Sequence, residues 1–282
     1  MQVHTTIAAL RHALAVDRSQ GHTIGLVPTM GFLHHGHVSL IERARADNDS
    51  VVVTIFVNPL QFAPGEDLAS YPRDPDGDAA KATAAGATHL FCPDRGEMYP
   101  EPVRTTVTVG GVADTMEGAM RPTHFAGVAT VVAKLFSITG ECRAYFGEKD
   151  YQQLAVISTM ARDLSMPVEV IGCPIVREPD GLAMSSRNVY LAPDERAAAP
   201  VLRRALAAGA ALVAAGETSA DAVRNTMVEV IRSEPLAGLD YAEVADPRTL
   251  EPAERCDGSS RLLIAATFGR ARLIDNVAAA DR

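Results

Sequence analysis

Short, continuously apolar runs alternate with stretches of helical periodicity along the first 176 residues. Residues 23–28 read as a buried strand, and residues 36–48 place Val38, Leu40, Ile41 and Ala44 on one face of an amphipathic helix. Residues 50–57 form a nearly unbroken β-branched run. The alternation recurs as a helix over 76–85, a strand at 88–91, helices over 127–138 and 152–164, and a strand at 168–173. Strands that are apolar on both faces belong to a parallel sheet covered on both sides. The pattern therefore predicts a doubly wound α/β domain over residues 1–176, whose ligands sit beyond the carboxyl ends of the strands.

The character changes after residue 176. A long Ala-rich helix is expected over 193–215 and a second over 219–233, followed by strands at 241–245, 262–267 and 271–275. Phe268-Gly269-Arg270 suggests a hairpin turn, with Gly269 supplying the permissive backbone. Residues 177–282 thus read as a smaller α+β domain, one that contains no His and no Lys. No internal repeat or low-complexity linker interrupts the chain.

Composition narrows the function classes. The 282 residues are 47% hydrophobic but only 5% aromatic, with no Trp, so the core is built from Ala, Val, Leu and Ile. A formal charge of -9 gives no general attraction to nucleic acid or anionic lipid, and neither is expected as a partner. Cys92, Cys142, Cys173 and Cys256 are scattered, without a C-x-x-C pair or nearby His at metal-ligand spacing, and read as reduced thiols rather than as a metal site. The start of the chain has no apolar signal-like core, so a cytoplasmic protein is expected. With only three lysines, Lys81, Lys134 and Lys149, a lysine inside a motif stands out.

The first such motif joins the first strand to the first helix, where a doubly wound fold presents backbone N–H groups to an anion. It runs Pro28-Thr-Met-Gly-Phe-Leu-His34-His35-Gly36-His37 and holds three of the eight His residues. Gly36 allows close backbone approach, while His34 and His37, one helical turn apart, can donate to a phosphate bearing growing charge. A plain surface His cluster is the bland alternative; zinc lacks a third ligand nearby.

Other segments lie near the ends of predicted elements. Asn58-Pro-Leu-Gln61 follows the second strand, and neutral amides there suit a small hydroxy acid without quenching a carboxylate nucleophile, although an ordinary Asn-Pro turn has the same look. Phe146-Gly147-Glu148-Lys149-Asp150 enters a helix: Lys149 can reach a phosphate and Asp150 a ribose, or Lys149 is a solvated ammonium. Met184-Ser185-Ser186-Arg187-Asn188 offers hydroxyls and a guanidinium to a triphosphate, although by itself it is more often a helix-entry loop. Arg121-Pro-Thr-His124-Phe-Ala-Gly127 is either a substrate-side loop or the cap of the following helix. Walker A and G-x-G-x-x-G spacings are absent.

Taken together, P-T-M-G-x-L-H-x-G-H, F-V-N-P-x-Q-F, R-P-x-H-F-x-G-V, F-G-x-K-D-x-Q-Q and M-S-S-R-N, in that order, resemble the pantothenate synthetase family over essentially the whole chain. H-x-G-H alone resembles only the wider nucleotidylyltransferase superfamily. The resemblance implies a Rossmann-like domain, a smaller C-terminal domain closing over the active site, a homodimer, and use of ATP with Mg2+ but no dedicated protein metal site. It implies that pantoate is activated as an adenylate and passed to β-alanine, with release of AMP and pyrophosphate. Carried over by position, ATP lies against Met30, Gly31, Phe32, Leu33, His34, His35, Gly36 and His37. The same carry-over gives it Gly147, Glu148, Lys149, Asp150, Val176, Met184, Ser185, Ser186 and Arg187. His37 is implied to be catalytic, and His34, Lys149 and Arg187 join it from the reading of their motifs. Gln61 and Gln153 match the residues that hold pantoate, Gln61 also lining the β-alanine site, and Asn58 is expected beside them from its place after the second strand. Compared with the K-M-S-K-S loop of the superfamily, Ala183 replaces the first Lys and Arg187 the second, which leaves more transition-state charge to Lys149 and Arg187.

Two other readings compete. A nucleotidylyltransferase acting on a phosphorylated substrate needs a second basic pocket, where this chain offers Asn58, Gln61 and Gln153. A non-catalytic nucleotide-binding module has no need of His34, His37, Lys149 and Arg187 as one set.

Overall fold

The computed structural model describes residues 1–66 and 68–280. The chain forms two compact units, one of residues 1–148 and 153–174, the other of residues 149–152 and 175–282.

In the first unit, β1 (Gln2–His4), α1 (Ile7–Ser19), β2 (Ile24–Thr29), α2 (His35–Asp47) and β3 (Ser50–Ile55) come in alternation. They are followed by α3 (Pro75–Ala84), β4 (His89–Phe91), α4 (Arg95–Met98), α5 (Met116–Met120), α6 (His124–Thr139), β5 (Cys142–Gly147), most of α7 (Tyr151–Asp163) and β6 (Val168–Cys173). The six strands form one parallel sheet in the order β1-β4-β3-β2-β5-β6. Leu26, Val27 and Val51 to Val53 are fully buried, because helices cover both faces. From β2 the chain steps through β3 to β4 on one side and later through β5 to β6 on the other. The crevice of such a sheet lies outside the carboxyl ends of the two strands at the reversal, here β2 and β5.

Five elements of this unit go beyond the sequence reading: β1, α1, α4, α5 and β5. β1 is three residues long, too short to show a period, and Arg143 interrupts the apolar run of β5. α6 begins at His124, three residues earlier than its apolar periodicity indicates.

In the second unit, α8 (Pro193–Ala198), α9 (Val201–Ala214) and α10 (Ala220–Arg232) pack on an antiparallel sheet ordered β7 (Gly238–Ala245), β8 (Arg261–Phe268), β9 (Ala271–Ala278). The single helix expected over 193–215 is divided at Ala199-Pro200, since proline has no N–H to continue the ladder. The β8–β9 hairpin closes through Gly269-Arg270, with Gly269 at φ +55°.

Candidate active site

The connection from β2 to α2 is pinned from below by a carboxylate. Gly31 (φ +87°) and Phe32 (φ +52°) both adopt the left-handed conformation, which a bulky residue such as Phe enters at a cost of about 1–2 kcal/mol. A Cβ on Gly31 would lie 2.9 Å from Ile55 Cγ2 and 3.0 Å from Asp78 Oδ2. The buried Asp78, in the first turn of α3, offsets the strain: the Phe32 N–H donates to Oδ2 (2.8 Å) and the Leu33 N–H to Oδ1 (2.6 Å). The Gly31 N–H donates to the Thr29 hydroxyl, which itself donates to the Thr54 carbonyl.

The loop delivers His34 to the N-cap of α2. His34 Nδ1 accepts the Gly36 N–H (3.1 Å), and His37 Nδ1 accepts the His34 N–H (3.3 Å), so the two rings form a reciprocal cap with centroids 4.1 Å apart. An Nδ1 that accepts a backbone N–H carries no proton, so each neutral ring keeps its hydrogen on Nε2. Two ring N–H groups therefore sit at the positive end of a 13-residue helix, an arrangement suited to an anion. His35 points into solvent.

Gln61 sits in a cradle of protein groups. Its Oε1 accepts from Asn58 Nδ2 (3.1 Å), and its Nε2 meets the thioether of Met30 (3.1 Å), a weak acceptor. The second Asn58 Nδ2 hydrogen goes to the Gly127 carbonyl, and Asn58 Oδ1 accepts from the Leu60 N–H and the Tyr99 hydroxyl. Two donors and two lone pairs are thus engaged on a residue only 1% exposed. The sequence reading gives Asn58 to the substrate; in this structure its amide is engaged by Gln61, Gly127, Leu60 and Tyr99.

The R-P-x-H-F-x-G-V segment lies against the Gln61 turn. Thr123, the N-cap of α6, makes no side-chain cap, whereas His124 Nδ1 donates to the Gln61 carbonyl (2.9 Å) and Arg121 Nη2 approaches it (3.4 Å). Arg121 is itself held by a bidentate pair with Glu66. Burial first, then the adjacent Arg121 charge, lowers the His124 pKa, which suits a neutral donor. Tyr99, Arg121, His124 and Gly127 therefore all position the Gln61 loop. Gln153, in the same unit, is half-buried in the first turn of α7.

The second unit gathers the remaining candidates. The Met184 N–H donates to the Val176 carbonyl (3.0 Å) beside an Arg177–Ala183 bridge. Arg177 forms a bidentate pair with the buried Asp275 (2.7 and 2.9 Å), which ties this arm to β9. Ser185 Oγ accepts the Arg187 N–H (3.2 Å) and caps the short 3-10 turn Ser186–Tyr190, leaving the hydroxyl hydrogen to donate elsewhere. Glu148–Asp150 is another 3-10 turn, which continues the chain directly from the carboxyl end of β5 at Gly147, and Lys149 Nζ lies 3.4 Å from Asp150 Oδ1. Among the described residues, no group of three or more His, Cys, Asp or Glu is arranged to hold a metal ion.

Comparison with known proteins supplies a family. The model of the family described as pantoate-beta-alanine ligase matches residues 2–278. A pantothenate synthetase of Roseiflexus sp. (strain RS-1) is 56% identical over 276 residues, 98% of each chain. The crystal structure of pantothenate synthetase from Thermus thermophilus superposes with a TM-score of 0.94 at 49% identity, covering 99% of both chains. The pantoate-beta-alanine ligase of Francisella tularensis, complexed with beta-gamma ATP and beta-alanine, gives 0.80 at 31% identity over 100% of this chain and 99% of its own.

Proposed function

The chain belongs to the pantoate-β-alanine ligase family, and on that premise we propose how its residues divide the reaction. The enzyme condenses pantoate with β-alanine to pantothenate at the expense of ATP, through a pantoyl-adenylate, and releases AMP and pyrophosphate. In the first step a pantoate carboxylate oxygen attacks the α-phosphorus in line, and the bond from that phosphorus to pyrophosphate breaks. In the second, the free amine of β-alanine attacks the acyl carbon, AMP leaves with the bridging oxygen, and the amine gives up its proton.

The observation that carries this division is the reciprocal cap of α2, in which both Nδ1 atoms accept backbone N–H groups, so that the ring N–H of each lies at Nε2. We assign His37 and His34 to the oxygens of the α-phosphate, where charge grows as the pentavalent transition state forms. Gly31 to Leu33, Gly36 and exposed His35 belong to the same ATP-binding loop, and Gly147 to Asp150, Val176 and Met184 to Arg187 provide its other contacts. Lys149 and Arg187 neutralise the departing pyrophosphate, and Mg2+ arrives on the ATP as part of the substrate. Gln61, through the Nε2 group that Asn58 orients, and Gln153 hold pantoate, Gln61 also bordering β-alanine. Neutral amides bind the carboxylate without the ion pairing that would blunt it as a nucleophile. A homodimer in the cytoplasm completes the reading; it is supported by the family resemblance and by four cysteines that are all free.

Oxygen tracing tests the chemistry. Pantoate labelled with heavy oxygen in its carboxylate, taken through one turnover with MgATP and β-alanine, is expected to deliver one label to AMP. ADP as the product, or unlabelled AMP from fully labelled pantoate, refutes the adenylate route.

A further inference from the structure

The second unit holds the main chain of Lys149 from an unexpected direction, the last strand of the chain. Asn276 on β9 donates from Nδ2 to the Lys149 carbonyl (2.9 Å). Its Oδ1 accepts from Arg261 through Nε (2.8 Å) and through Nη2. Arg261 on β8 pairs in register with Ala278, so Asn276 is its diagonal neighbour on the same face of the sheet. The Arg261 guanidinium in turn lies over the Tyr151 ring, 4.0 Å from its centroid, and the Tyr151 hydroxyl donates to the Pro247 carbonyl (3.0 Å). Asn276 is 2% and Arg261 7% exposed.

This connection asks for a specific side chain. Only a carboxamide of this length can accept from the guanidinium at one end and donate to a carbonyl at the other; Asp keeps the first contact and loses the second, and an aliphatic residue loses both. Stability alone gives little reason to bury such a polar pair, since well-packed apolar residues serve as well or better. What the pair does is fix the backbone at the residue that carries the ammonium.

We infer that Asn276, oriented by Arg261, is a positioning residue for Lys149 in adenylate formation. The inference rests on the assignment of Lys149 to the departing pyrophosphate, and its consequence is step-specific. Pyrophosphate leaves in the first half-reaction only, so loosening the Lys149 turn slows that half and spares the attack of β-alanine on preformed pantoyl-adenylate.

The test compares Asn276→Asp, Lys149→Ala and the double variant in both half-reactions: single-turnover adenylate formation, and amide formation from supplied pantoyl-adenylate. Asn276→Asp preserves volume and the Arg261 contact, and is expected to slow adenylation roughly tenfold, the effect of one buried hydrogen bond lost with its acceptor left unsatisfied, while amide formation stays within about twofold. Lys149→Ala is expected to slow adenylation more, and the double variant no further than Lys149→Ala alone. Where the carboxylate prevents folding, Asn276→Ser breaks the same bond without adding charge. Asn276 variants that slow both halves equally, or neither, overturn the positioning role while leaving that of Lys149 standing. A Lys149→Ala enzyme equally impaired in both halves overturns the Lys149 assignment itself, and the step-specific role of Asn276 with it.

Discussion

Replacing Gly127 by Ala adds one methyl group at the tightest contact around Gln61. The new Cβ would lie 2.2 Å from the Leu60 carbonyl oxygen, 2.4 Å from its carbon and 2.6 Å from the Gln61 nitrogen. All three are main-chain atoms, so no side-chain rotation relieves the overlap. Carbon and oxygen come into contact at about 3.3 Å, and the 58–61 turn or the first turn of α6 must therefore move by about 1 Å. That movement also strains the bonds from Asn58 Nδ2 to the Gly127 carbonyl and from His124 to the Gln61 carbonyl. A reacting group displaced by about 1 Å loses on the order of 100-fold in rate, and overpacking of this kind destabilises by about 1–3 kcal/mol. Gly127→Ala is thus expected to fold, to melt several degrees lower, and to form pantoyl-adenylate about 100-fold more slowly in single turnover at saturating ATP. Gly110→Ala is the control, because a Cβ there meets nothing within 4 Å. Wild-type kinetics in a Gly127→Ala enzyme would show that the Gln61 loop does not need its observed position.

Three further outcomes follow from other parts of the molecule. His37→Ala removes one Nε2–H donor and one half of the α2 cap, and is expected to lower adenylate formation by roughly 10²–10³-fold in a protein that still folds; near-normal AMP release from a folded variant would contradict its role. His4 Nε2 meets His89 Nδ1 (3.0 Å), whose Nε2 meets Asp17 (2.9 Å), and burial first, then the His89 charge, lowers the His4 pKa. Because the unfolded chain then takes up the proton first, stability is complete above the ordinary His value near 6.5 and falls as pH drops below it; melts at pH 7.5 and 5.5 should differ by a few degrees and His4→Phe should shrink that difference. Asp17 is held below the usual carboxylate range by bonds from Ser50 and His89 that outweigh its burial, so its contribution is lost at a lower pH, below about 4, and an acid limb that begins only there would contradict the His4 contribution.

The parts of the site that were legible in the sequence are those in which neighbours along the chain do the work. His34, Gly36 and His37 cap one another within four residues, and Asn58 to Gln61 form one turn, so residue type and spacing alone carry the signal. The supports are a different matter. Asp78 lies 46 residues from the Phe32 N–H it holds, Tyr99 is 41 residues from Asn58, and Asn276 is 127 residues from Lys149. An Asp in the first turn of a helix, or an Asn in a strand, looks like any other when its partner is set by sheet order rather than by local period. Arg121 and His124 fall between: their motif was visible, but only the closeness of α6 to the 58–61 turn, enforced by Gly127, gives it a purpose. The division at Pro200 could have been anticipated from proline chemistry, but the Ala-rich periodicity on both sides outweighed it.

Four of the side chains assigned to the reactants share one property. Each arrives with its acceptor already occupied: Nδ1 of His34 and His37 by backbone N–H groups, Oε1 of Gln61 by Asn58, and Oγ of Ser185 by the Arg187 N–H. The other polar group on each is a neutral donor. The reacting groups of adenylation are anionic, from the pantoate carboxylate to the α-phosphate oxygens and the leaving pyrophosphate. Donors whose orientation is set by the protein need no reorganisation as charge migrates from carboxylate to phosphate, and being uncharged they do not trap the carboxylate in an ion pair before it attacks. The formal positive charges assigned to the reaction, Lys149 and Arg187, are reserved for pyrophosphate, where negative charge accumulates as the bond breaks. This proposed division of roles favours the transition state over the bound ground state, because the strongest charges are assigned to the oxygens whose charge increases.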